Sequence, residues 1–227
     1  MYKQINIIKI NSIIKSHFCV GHLKKTLAFN NNALIYGFRH QISIYNYIII
    51  WKSLLYFYKF FSYLIFKRNF IIFYSNNKLV NKYISKLNFL NKNHVFMLNN
   101  FNSFNGLLTN LNILYELHKK KKYKFLNNFK TLYLKRKIYP DIIFFFSKNY
   151  NLYVESSFLK IPTISLVDTD NNVFNFLYKI YSNDDSINVF FYLTKVIKKA
   201  FNNGIHLEQE FFFKILLSKL QKKYNNK

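Results

Sequence analysis

Two short runs limit the fold more than anything else in this chain: IIFFF at 142–146 and TISLV at 163–167. Neither alternates apolar with polar residues in the way a strand with one wet face must. Strands of this kind are buried on both sides, which is the situation in a parallel sheet sheathed by helices. NFIIFYSNN (69–77) and HVFML (94–98) read the same way, and a brief extended piece is expected near Leu177–Tyr181. Between these runs the spacing turns helical. Lys78–Leu90 repeats Leu79, Val80, Ile84 and Leu87, and NLYVESSFLK (151–160) is a short amphipathic helix. Further helices are expected over about Ser186 to Phe201 and again over 208–222. Strands alternating with helices pair in parallel through right-handed crossovers. The expected fold class is therefore α/β, a three-layer α/β/α sandwich with an open, mostly parallel sheet of the Rossmann or flavodoxin-like kind. A chain of 227 residues suits a single domain with a real core. The segment 111–137 is too long for a plain crossover and is expected to protrude as a helical hairpin, while 1–40 is expected to be a basic N-terminal extension or arm.

The longest greasy stretch, 44–66, tests whether the chain crosses a membrane. Lys52 and Lys59 interrupt it, each costly at a bilayer centre. At helical spacing Lys52, Tyr56, Lys59, Tyr63 and Lys67 make a polar stripe, opposed by Leu54, Leu55, Tyr58, Phe61 and Ile65. That is the pattern of a core-packing helix, and no membrane span is expected. No secretory signal is visible, since Lys9 and Lys15 break the early apolar run, and no arginine precedes Arg39 as an organellar presequence would require.

The formal charge of +25 is placed unevenly. Residues 1–140 carry 23 Lys and Arg against one acid, Glu116, so +22; residues 141–227 carry 11 against eight, so +3. Such a chain needs external counter-charge, and nucleic-acid phosphate or anionic lipid is the usual source. Aromatic residues interleaved with the lysines suit RNA. The preference for Phe, Tyr, Ile, Asn and Lys, with three Ala and four Gly, is that of A/T-rich codons and an organelle-like genome.

The scarce acids cluster. Asp168 and Asp170 lie in IPTISLVDTDNN at the end of an expected strand, and Asp184 and Asp185 lie in SNDDS before an expected helix. One reading is a Mg²⁺ site of an α/β enzyme built from Asp168, Asp170, Asp184 and Asp185, because ligands gather at strand carboxyl ends. Against it, glycines at 21, 37, 106 and 204 alone allow no phosphate-binding glycine loop, and no GxSxG or HExxH occurs. The other reading, adopted here, makes Asp168 and Thr169 turn residues and Asn183, Asp184 and Asp185 caps of the next helix. No catalytic residue, metal or cofactor is expected. The lone Cys19 excludes an internal disulfide, and His17, Cys19 and His22 offer only three ligands, so a thiol beside surface histidines is preferred to a metal.

The order of several motifs resembles the S-two family of small-subunit ribosomal proteins. HFCVGH carries His17, Phe18, Gly21 and His22; GLLTN carries Gly106, Leu108, Thr109 and Asn110; then follow Pro140 and Asp141, Glu155, Ile161 and Pro162, Asp168 and Thr169, and Asn183, Asp184 and Asp185. The departures are two residues (Cys19, Val20) inside the first motif, one glycine instead of two before Leu107, no Pro-Gly before NDDS and a shortened segment between Asn110 and Pro140. The resemblance implies a non-enzymatic small-subunit component bound to rRNA and neighbouring ribosomal proteins, with no small-molecule substrate. With the codon bias it implies a protein encoded in a mitochondrial genome and working in the matrix, or else in a plastid. Charge clustering nominates Lys15, His17, His22, Lys24, Lys25, Arg39 and His40 for rRNA binding, followed by Lys119, Lys120, Lys121, Lys122, Lys124, Lys135, Arg136 and Lys137.

Overall fold

The computed structural model describes residues 8–28, 34–85, 87, 95–99, 106, 108–110, 139–147, 149–170 and 176–225. The hairpin expected over 111–137, with Lys119 to Lys122, Lys124, Lys135, Arg136 and Lys137, lies outside them.

The apolar runs are strands β4 (Ile71–Ser75), β5 (Val95–Asn99), β6 (Ile142–Phe145), β7 (Thr163–Val167) and β8 (Tyr178–Tyr181). They form one sheet in the order β5-β4-β6-β7-β8, and every pairing is parallel. Both faces are covered, as runs without alternation require. Ile71, Phe73, Ile142, Phe144, Ile164 and Leu166 pack towards one side, and Ile72, Tyr74, Ile143, Phe145 and Val167 towards the other. Helices α2 (Tyr47–Phe66), α3 (Lys78–Ser85) and α5 (Ile187–Asn225) cover the first face, and α4 (Tyr150–Phe158) covers the second together with Leu108 and Phe176. This is the three-layer α/β/α sandwich the sequence predicts. Its larger core is aromatic: Phe73, Phe144 and Phe57 meet edge to face at 5.4–5.5 Å between ring centroids, a geometry in which ring edges meet the electron-rich faces.

Helix α2 begins where the Asn46 side chain accepts from the Ile48 N–H at 3.0 Å. It is long and apolar enough to cross a membrane, yet half of its apolar window is buried inside the fold. Leu54, Phe57, Tyr58, Phe61 and Ile65 face the core, while Lys52, Tyr56, Lys59, Tyr63 and Lys67 are exposed.

Two features depart from the sequence reading. Residues expected as separate helices, Ser186–Phe201 and 208–222, form one helix, α5, running unbroken from Ile187 to Asn225. The gap expected between them, 202–207, is helical, and Gly204 within it serves contact. A Cβ on it would lie 2.6 Å from the Ser62 carbonyl and 2.7 Å from the Ile65 Cβ, so its bare backbone lets α5 press against α2. Secondly, within the arm expected over 1–40, short helix α1 (Ile10–Lys15) is followed by strands β1 (Val20–Leu23) and β2 (Ile35–Arg39). These pair with β3 (Ile42–Tyr45) in an antiparallel sheet of order β1-β3-β2. The β2–β3 turn consists of His40 and Gln41, both at positive φ, the two-residue geometry that suits strand twist.

Scarce glycine also shapes the helix ends. After α1, α2 and α4 the residue past the C-cap takes the left-handed conformation, and it is His17, Arg68 and Lys160 respectively. In each case the paired closing hydrogen bonds of a Schellman motif are present, for example Arg68 N–H to Ile65 O at 2.9 Å and Asn69 N–H to Leu64 O at 3.0 Å.

Candidate functional site

The acids that stood out in the sequence meet the N-terminal sheet at the carboxyl end of β7. Gly21 and His22 come from β1, Ser43 and Tyr45 from β3, Asp168 and Thr169 from the end of β7, and Asn183 to Asp185 from the loop before α5. Alternation along β3 explains the first contributors, because Ser43 and Tyr45 point to the same side and both are buried.

Asp168 is fully buried and its carboxylate gathers donors from three segments. Oδ1 accepts from the Thr169 N–H at 2.5 Å, the Thr169 hydroxyl at 3.2 Å and the Tyr45 hydroxyl at 3.2 Å, and Oδ2 accepts from the Asp184 N–H at 3.1 Å. Thr169 turns the other way: its Oγ1 accepts from the His22 N–H at 2.9 Å, and its carbonyl accepts from the Ala28 N–H at 2.9 Å. The Ser43 hydroxyl donates to the His22 carbonyl at 2.8 Å. The strand can come this close because residue 21 is glycine. A Cβ there would fall 2.5 Å from Ser43 Oγ and 2.7 Å from Thr169 Cγ2.

The His22 ring lies between two carboxylates, with Nδ1 3.3 Å from Asp168 Oδ2 and Nε2 3.3 Å from Asp185 Oδ2. The first contact has ion-pair distance without hydrogen-bond alignment. Partial burial works to lower the imidazole pKa, but the charges of Asp168, then Asp170 and Asp184, outweigh it and leave it raised. Burial, reinforced by Asp168, holds the Tyr45 phenol far above its usual range, so it stays a neutral donor. Downstream, Asn183 Oδ1 accepts from the N–H groups of Asp185 at 2.8 Å and Ser186 at 3.0 Å, shaping the entry to α5.

His22, Asp168 and Asp184 offer atoms within 4.8 Å of one another, a spacing at which a divalent cation could be held; the group includes neither His17 nor Cys19. Among the described residues no nucleophile stands on the histidine. The ring faces carboxylates, and the nearby hydroxyls of Ser43, Tyr45 and Thr169 are committed to backbone or to Asp168. The arrangement is a clasp: it ties the N-terminal sheet and the start of α5 to one strand end.

A second clasp, for which sequence reasoning had only the letter Glu155, closes the opposite layer. The buried Glu155 carboxylate accepts from the Gly106 N–H at 2.5 Å and the Leu108 N–H at 2.7 Å. A third carboxylate, Asp141 Oδ2, accepts from the Phe70 N–H at 2.7 Å and so joins the starts of β4 and β6.

The other nominated basic residues that the structure describes stand outside the clasp. Lys15, His17, Lys24, Lys25, Arg39 and His40 are all exposed, and Lys24 Nζ lies 5.3 Å from the centre of the exposed Phe38 ring. Of the nominated residues among those described, His22 alone enters the clasp. Cys19 is half-buried against the core, and burial raises its thiol pKa.

No curated protein matches the chain. The family model described as Ribosomal protein S2 matches residues 13–204, which run from α1 to the glycine contact inside α5.

Proposed function

Because this chain belongs to the ribosomal protein S2 family, a structural family of the small ribosomal subunit, we propose that it serves in a mitochondrial ribosome and holds small-subunit rRNA through its basic, N-terminal part. The observation that carries the rRNA half of this reading is the charge division, +22 over residues 1–140 against +3 over the rest. Lys15, His17, Lys24, Lys25, Arg39 and His40 lie open to solvent on that part, where phosphate would neutralise them and release counterions. His22 supports the contact indirectly, since it is turned into the clasp. Lys119 to Lys122, Lys124, Lys135, Arg136 and Lys137 extend the same basic region in sequence. Asp168, Thr169, Asn183, Asp184 and Asp185 take the role of turn and cap residues.

The organelle rests on composition, the excess of residues with A/T-rich codons. Sedimentation tests both parts. In low-salt gradients of a mitochondrial lysate the protein is expected in the small-subunit peak, and nuclease is expected to release it. A protein absent from that peak, or present only in a plastid fraction, overturns the corresponding part.

A further inference from the structure

The outward side of α2 takes no part in the clasp or in the cluster of basic residues nominated near the N-terminus. Lys52, Tyr56, Lys59, Tyr63 and Lys67 are all exposed, the two tyrosines at 62% and 53%. At about 100° per residue the five fall within roughly 80° of arc, and at 1.5 Å per residue they extend over about 22 Å of helix. Cation and ring alternate along the whole line. The three lysines make no ion pair among the described residues; Lys67 Nζ instead lies 5.8 Å from the centre of the Tyr63 ring. No acid occurs anywhere in α2, nor in α5 between residues 187 and 207, where Lys195 and Lys199 are also exposed.

We propose that this Lys–Tyr line on α2 is a second rRNA contact, in which the lysines neutralise successive phosphates of one strand and Tyr56 and Tyr63 receive unpaired bases or ribose. It rests on the rRNA reading above and adds a site that the basic N-terminal cluster does not include. The chemistry fits RNA better than lipid. A helix lying in a membrane interface inserts aliphatic residues, whereas here Ile50, Leu54, Leu64 and Ile65 are inside the fold, and apart from Ile48 at its start the exposed line is lysine and tyrosine. A tyrosine ring supplies a stacking face that accepts any base, and its hydroxyl can meet phosphate or a 2′-OH.

The test uses the full chain with small-subunit rRNA transcribed from its own source, binding being measured across a salt series. Wild type should bind with affinity falling steeply as salt rises. The variant Lys52→Gln/Lys59→Gln/Lys67→Gln should weaken binding and flatten the log–log slope by about 2 to 3, one increment per lost phosphate contact. Tyr56→Ala/Tyr63→Ala should lose roughly fivefold or more in affinity at unchanged slope. A wild-type chain that does not bind rRNA overturns the rRNA reading and this proposal with it. If wild type binds but the lysine variant keeps its affinity and slope, this proposal alone is overturned. Loss of binding to phosphatidylglycerol vesicles with rRNA binding intact overturns it in favour of lipid. Should a variant fail to fold, a photo-crosslinking residue at position 56 in assembled subunits decides: a crosslink to rRNA supports the proposal, and one to protein alone overturns it.

Discussion

The clasp and the α2 line handle charge in opposite ways. At the clasp a carboxylate is buried and accepts from the nearby backbone N–H groups of Thr169 and Asp184 and from the hydroxyl of Tyr45, far upstream in the chain. Along α2 the lysines stand in solvent without an ion pair among the described residues. Glu155 follows the first pattern, the exposed Asp141 shares its backbone-accepting role, and Lys15, Lys24, Lys25 and Arg39 follow the second in their exposure. A protein with nine acids against 34 bases thus places several of its acids where they position backbone, and leaves much of its positive charge to be balanced from outside. Acids here bear on stability, and lysines on association.

That contrast breaks if Asp168→Asn is harmless. The substitution replaces an acceptor oxygen with a donor amide among groups that all donate. It is expected to cost about 3 kcal/mol, a fall of roughly 6–12 °C in the thermal midpoint. Lys52→Gln/Lys59→Gln/Lys67→Gln should stay within about 0.5 kcal/mol per site. Comparable losses in the two variants would erase the distinction.

A sharper version uses pH. The folded-state pKa of His22 is raised, so its charged form stabilises the clasp; the contribution is complete below about 6.5 and disappears as pH rises through the folded value. Wild type should therefore exceed His22→Gln in stability most clearly in mildly acidic denaturant titrations, and the gap should narrow towards alkaline pH. A gap that widened with pH would reverse the sign and remove the Asp168–His22 attraction from the account.

The smallest effect concerns a lysine that carries a backbone cost. Lys160 occupies a left-handed position after α4, so Lys160→Gly should stabilise by about 0.5 kcal/mol, the strain relieved being partly offset by glycine's greater freedom when unfolded. Chemical denaturation resolves a change of that size, and a loss of stability would mean the lysine side chain contributes to the fold.

The parallel sheet was legible because IIFFF and TISLV satisfy only one environment, and α2 because lysines recur on one side of it. The N-terminal sheet was not legible. Its strands are four or five residues long, and its turn uses His40 and Gln41 instead of the Asn-Gly chemistry that announces a hairpin. The continuity of α5 was not legible, because the close approach that Gly204 permits depends on α2, far away in the sequence. The clasp was half-visible. Asp168 and Thr169 read as turn residues, but their partners His22 and Tyr45 lie more than a hundred residues upstream, and no local pattern links them.

That separation also sets an order in time. Thr169 is 147 residues beyond the His22 N–H it receives, and Asp168 is 123 beyond Tyr45. As the chain is synthesised from its N-terminus, β1 to β3 emerge before Asp168 and Thr169 exist. The N-terminal sheet gains its tie to the end of β7 only after most of the chain has been made. Its last fastening comes with the loop before α5, when Asp184 and Asp185 reach Asp168 and His22.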